Sequence, residues 1–116
     1  MNDNVTIYHN PRCSKSRQAL EYLRERDIEP EVIRYLEDTP DVEKLRELVD
    51  AAGITVHDAI RTREAEYREL GLSPDTPEEE LLAAMAAHPR LIERPFVVTS
   101  KGTRIARPTE AIDEIL

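Results

Sequence analysis

Hydrophobic and polar positions change period along this chain, and the changes mark its elements. Val5-Thr6-Ile7-Tyr8 alternates and predicts a short half-buried strand. Asn10-Pro11 predicts a turn, and Ser14 to Arg26 predicts an amphipathic helix with Ala19, Leu20 and Leu23 on one face. Glu31-Val32-Ile33-Arg34-Tyr35 then predicts a second strand, so the segment from Val5 to Tyr35 has the form of a βαβ unit. Its strands are expected to be parallel, with a right-handed crossover.

Thr39-Pro40 has the form of an N-cap followed by proline at the first helical position, opening a helix with Val42, Leu45, Val49 and Ala52 before Gly53. Thr76-Pro77 repeats the signal for a helix through Leu81, Leu82, Met85 and Ala86, ended by His88-Pro89. Shorter helical pieces are expected at Val56 to Arg61 and Glu64 to Leu70, the latter closed by Gly71. Beyond this helical block at about residues 39–90, Phe96-Val97-Val98-Thr99 and Thr103-Arg104-Ile105-Ala106 predict a hairpin. Its loop is Ser100-Lys101-Gly102, with glycine in the left-handed position. A last helix from about Thr109 to Leu116 would turn Ala111, Ile112, Ile115 and Leu116 to the sheet.

With 116 residues and no internal repeat or linker, the expectation is a single domain over residues 1–116. No apolar stretch approaches the roughly 18 to 20 residues of a membrane span. The net charge of −8 argues against nucleic acid as a partner, because duplex affinity depends on neutralising phosphates. Thirteen of the 16 basic residues are arginine, the side chain that grips oxyanions through a planar fork of donors.

The chain has one cysteine, Cys13, which excludes an intramolecular disulfide. No N-terminal apolar run resembles a signal peptide, so a reducing cytoplasm is the expected compartment. Cys13 falls at the turn between the first strand and the first helix, where free backbone N–H groups and the helix dipole favour an anion. An ordinary thiol is only about 3% thiolate at pH 7, and lowering its pKa to about 6.5 needs roughly 2.7 kcal/mol. A helix end supplies ~0.3–1 kcal/mol of this, so nearby cations must add the rest. Arg12, Lys15 and Arg17 are at hand, with His9 a further candidate. A small buried hydrophobe is the alternative role for a free cysteine, and the polar, basic neighbours speak against it. His57 and His88 have no metal-ligand spacing, and no metal is expected.

The motifs Tyr8-His9-Asn10-Pro11-Arg12-Cys13-Ser14-Lys15-Ser16-Arg17, Leu91-Ile92-Glu93-Arg94-Pro95 and Arg104-Ile105-Ala106-Arg107-Pro108 resemble the three signatures of the glutaredoxin-coupled arsenate reductase family. The resemblance covers essentially the whole chain. It implies an α/β, thioredoxin-like four-stranded mixed sheet, βαβ plus ββα, with the helical block inserted between the halves. By motif, Cys13 is the nucleophile, His9 assists it, and Arg61, Arg94 and Arg107 surround the oxyanion, with Ser16 and Arg17 joining them. Arg63 is a near neighbour that could take the place of Arg61. Pro95 is the candidate for the cis-proline that faces the cysteine in this fold.

The implied reaction reduces arsenate to arsenite with glutathione as co-substrate and glutaredoxin as partner, without a bound cofactor. The external thiol is needed because the position that would resolve a Cys-x-x-Cys disulfide is Ser16, which can donate a hydrogen bond to the thiolate but cannot form S–S. Arg12 before the cysteine and Ser14-Lys15 after it depart from the small residue and Gly-Thr of the best-known members. Two other readings stay open: a glutathione-dependent thiol transferase acting on another substrate, and a non-enzymatic thiol-stress regulator that binds RNA polymerase.

Overall fold

The computed structural model describes residues 4–93 and 95–116. They form two compact units, one joining the chain up to Asp38 with the segment after Glu93, the other running from Thr39 to Glu93.

In the first unit, strands β1 (Thr6–His9), β2 (Glu31–Arg34), β3 (Phe96–Thr99) and β4 (Gly102–Ile105) form one sheet in the order β2-β1-β3-β4. β1 and β2 are parallel, with Ile7 opposite Val32 and His9 opposite Arg34. β1–β3 and β3–β4 are antiparallel. The mixed βαβ plus ββα sheet is therefore the one expected. Helix α1 (Ser14–Arg24) lays Ala19 and Leu23 against Val5, Ile7, Val97 and Ala106. Removing such apolar surface from water contributes roughly 25 cal/mol per Å2, the main term holding helix to sheet.

α1 stops two residues before the periodicity suggested. Arg26 N–H and Ile28 N–H both return to the Leu23 carbonyl, and Asp27 reverses the chain at φ 61°, a conformation that aspartate tolerates. The hairpin differs as well. Thr99 pairs directly with Gly102, so the turn has two residues, Ser100 and Lys101, and Gly102 begins β4 at φ 150°. The Thr99 hydroxyl accounts for this: it accepts from Lys101 N at 3.0 Å and donates to the Ile115 carbonyl at 2.6 Å. The last helix is a 3-10 segment over Thr109–Ile115. At three residues per turn Ile112 and Ile115 eclipse, and both are buried in the cluster while Leu116 packs against it and Ala111 is half-buried.

The second unit holds α2 (Val42–Ala52), a 3-10 turn at His57–Ala59, α3 (Ala65–Glu69), α4 (Glu78–Ala87) and a 3-10 turn at Pro89–Leu91. α2 packs on α4 through buried Leu45, Leu48, Val49, Leu81, Leu82 and Met85. Both helix starts fall later than Thr-Pro predicts. Asp41 caps α2 by accepting from Lys44 N at 2.8 Å. The Thr76 hydroxyl turns back to accept from Ser73 N, and α4 begins after Pro77. Gly53 and Gly71 close their helices at φ 70° and 69°, as expected of left-handed caps. Among the described residues, no helix is long and apolar enough to cross a membrane.

Candidate active site

β1 ends at His9, and the chain turns at once through Asn10-Pro11-Arg12-Cys13. Asparagine and proline suit the first two positions of such a turn. Cys13 N–H closes it onto the Asn10 carbonyl at 3.0 Å, and Arg12 N–H donates to Asn10 Oδ1 at 3.0 Å. Cys13 is then the N-cap of α1, extended at φ −98° and ψ 124°, and its carbonyl accepts the first helical bond from Arg17 N. Cys13 is in no disulfide and is buried, 8% exposed. The first turn of α1 has no acidic residue, so no carboxylate offsets the positive end of the dipole there.

His9 and Ser16 lie buried behind the turn. His9 Nδ1 is 2.6 Å from Ser16 Oγ, and Ser16 Oγ also accepts from Asn10 N–H at 3.0 Å. Burial, the Arg34 guanidinium across the β1–β2 register, and then Arg24 and Arg17, hold the His9 imidazole below its ordinary pKa. This shift disfavours the imidazolium form of His9. The Arg17 side chain also braces the turn, Nη1 donating to the Pro11 carbonyl at 3.0 Å.

Arg107 is exposed in the segment after β4, and its peptide bond to Pro108 is cis. It lines a cleft of about 490 Å3 with Lys15 and Gln18 of α1 and with Pro108, Thr109 and Glu110. Arg107 and the first turn of α1 thus share one cleft. Pro95 is buried, and its carbonyl accepts from Ala106 N at 2.9 Å. Arg94, and with it the expected cis Arg94-Pro95 bond, lies outside the described residues.

Arg61 and Arg63 belong to the second unit. Arg61 is half-buried and paired with Glu64, whereas Arg63 is exposed. Sequence reasoning missed Glu64, which the i,i+3 spacing to Arg61 could have signalled, and its second partner Arg90, which no motif or periodicity joins to it. It also missed the Asn10 side-chain turn, for which the Asn-Pro pair was the available signal. Among the described residues, no three of His, Cys, Asp and Glu gather as a metal site requires.

The model of the ArsC family matches residues 8–115. An arsenate reductase of Rhizobium meliloti is 50% identical over 113 residues, covering 97% of this chain and 81% of that protein. The uncharacterized protein YfgD of Escherichia coli is 45% identical over 118 residues, covering 100% and 99%. Among solved structures, an arsenate reductase from Vibrio cholerae superposes with a TM-score of 0.95 at 46% identity, covering the whole of both chains.

Proposed function

Because this chain belongs to the ArsC family, we propose that it reduces arsenate to arsenite with Cys13 as the nucleophile. The observation that carries this reading is the placement of its single cysteine. Cys13 caps an 11-residue helix whose first turn lacks acid, on a turn pinned by Asn10 and Ser16, and Lys15 of that first turn shares a cleft with Arg107 and Glu110. Backbone N–H groups at that helix start, together with Arg107, Arg94 and Arg61 by motif, would hold the oxyanion.

The Cys13 thiolate attacks As(V), and water or hydroxide leaves to give a Cys–S–As(V) adduct. Glutathione attacks next. As glutathione attacks, its sulfur and the Cys13 sulfur join in a mixed disulfide, the S–As bond breaks with its electron pair passing to arsenic, and As(III) departs as arsenite. A glutaredoxin thiol then attacks that disulfide, takes over the glutathione and frees the Cys13 thiol. With no second cysteine in the chain, the second sulfur must come from outside. His9, whose imidazolium form is disfavoured, fixes the turn through Ser16.

Steady-state arsenate reduction with glutathione and glutaredoxin, wild type against Cys13→Ser, tests the assignment. Activity is expected to vanish in the variant, and full activity would overturn it. A charge-assisted hydrogen bond contributes ~1.5–3 kcal/mol, so Arg107→Ala should lower kcat/KM roughly ten- to hundred-fold. Arg12, Ser14 and Lys15 favour one second reading, thiol transfer on another substrate, since they change what fits beside the sulfur. In that case transferase activity would follow Cys13 and be indifferent to Arg94.

A further inference from the structure

With a single cysteine in the chain, the second sulfur has to reach Cys13 from outside, and α1 borders clefts in which its carrier can lodge. One, of about 490 Å3, lies between Lys15 and Gln18 of α1 and the segment Arg107, Pro108, Thr109 and Glu110. Its neighbour, of about 480 Å3, shares Gln18 and Thr109 and is otherwise lined by α1, with Arg17, Glu21 and Glu25 as its charges. Either volume admits a tripeptide, since small-molecule sites occupy roughly 300–1,000 Å3.

Charge separates the two clefts. The first has one more cation than carboxylate, Lys15 and Arg107 against Glu110. The second has one more carboxylate than cation, and its Arg17 is already engaged by the Pro11 carbonyl. Glutathione at pH 7 carries one more carboxylate than ammonium, so the first cleft is its electrostatic complement and the second repels it.

Lys15 and Glu110 are both exposed, and among the described residues neither makes an ion pair, with each other or with a third group. Elsewhere in the same unit Arg24 pairs with Glu29, Arg26 with Asp113 and Arg104 with Glu114. Opposite charges that line one cleft without meeting suit a ligand that carries both signs.

We infer that this cleft between α1 and the segment after β4 seats glutathione, with Glu110 taking its ammonium and Lys15 one of its carboxylates. The inference rests on the reading above, in which an external thiol attacks the Cys13–arsenic adduct. Cys13 and Lys15 are two residues apart, so their Cα atoms are separated by at most about 7 Å, whereas an extended tripeptide spans roughly 10 Å. The thiol can therefore reach Cys13 from a carboxylate held by Lys15. The Gln18 amide and the Thr109 hydroxyl offer partners to the peptide groups. Arg107 of the same lining is the oxyanion's group by motif, so the two substrates lie side by side, as attack of one on the other requires.

The test is an NMR titration of the full chain with S-methylglutathione, whose blocked sulfur permits binding without reaction, and with its N-acetyl derivative, which lacks the ammonium. Amide shifts are expected at Lys15, Gln18, Thr109 and Glu110. N-acetylation should weaken binding to wild type about three- to tenfold and leave binding to Glu110→Gln nearly unchanged, a preference that a merely structural glutamate would not set. Lys15→Met should weaken both ligands by about threefold or more. Shifts that are absent, or confined to Glu21, Tyr22 and Glu25, would overturn the site. An equal penalty for N-acetylation in wild type and Glu110→Gln would overturn the role of Glu110, and unchanged binding to Lys15→Met that of Lys15. Arsenate reduction is followed in parallel, where S-methylglutathione should inhibit wild type more strongly than Glu110→Gln. Shifts in the cleft without any arsenate reduction would remove the reading of the reaction and keep the site. Reduction without shifts in the cleft would remove the site alone.

Discussion

His9 Nδ1 and Ser16 Oγ stand 2.6 Å apart, both buried, and the same hydroxyl accepts the Asn10 amide at 3.0 Å. One side chain on α1 therefore fixes both the end of β1 and the start of the turn that presents Cys13. Ser16→Ala would strand a half-buried backbone N–H and a buried imidazole nitrogen together. An unsatisfied buried polar group costs about 1–3 kcal/mol, so the urea midpoint should fall by a corresponding amount. Activity should fall more than stability explains, because the thiol would lose its fixed place.

Stability should depend on pH through His9. Its pKa in the folded protein lies below the ordinary 6.5, so the folded state binds the proton less readily than the unfolded chain. Above pH 6.5 both states are neutral and the residue imposes no penalty. As the pH falls from there towards the lowered folded value, the unfolded state takes up the proton first and stability is lost. Denaturation at pH 7.5 and 5.5 should show wild type losing more than His9→Gln between the two; equal losses would sink the account.

Gly102 begins β4 at φ 150°, and a Cβ there would meet Ile115 Cγ2 at 3.2 Å. Gly102→Ala should therefore destabilise through both backbone strain and the push on Ile115, by about 1–3 kcal/mol. A thermal melt that does not move would show that the hairpin can relax around the methyl group.

Asp41 caps α2 through Lys44 N, so Asp41→Ala should cost about 0.5–2 kcal/mol. Urea denaturation of Asp41→Ala against wild type measures the loss, and an unchanged midpoint would show that the cap contributes nothing.

The elements, their order and the helix-start place of Cys13 could all be read from the sequence. They follow from local rules: the period of apolar positions, the turn chemistry of Asn10-Pro11, and caps such as Gly53 and Gly71. The motif around Cys13 likewise indicated the family. Where competing local signals lay within a residue or two, as at Thr39-Pro40-Asp41 or Ser100-Lys101-Gly102, a hydrogen bond visible only in three dimensions chose between them.

The tertiary structure alone decided the direction in which the His9 pKa moves and the pairing of Glu64 with Arg90. The His9 pKa is lowered because packing excludes water and pairing of β1 with β2 sets Arg34 beside it. Glu64 joins Arg61 to Arg90 because chain segments some 30 residues apart are paired through their backbones. Electrostatic interactions act through space and depend on burial, whereas sequence periodicity reports only on neighbours along the chain.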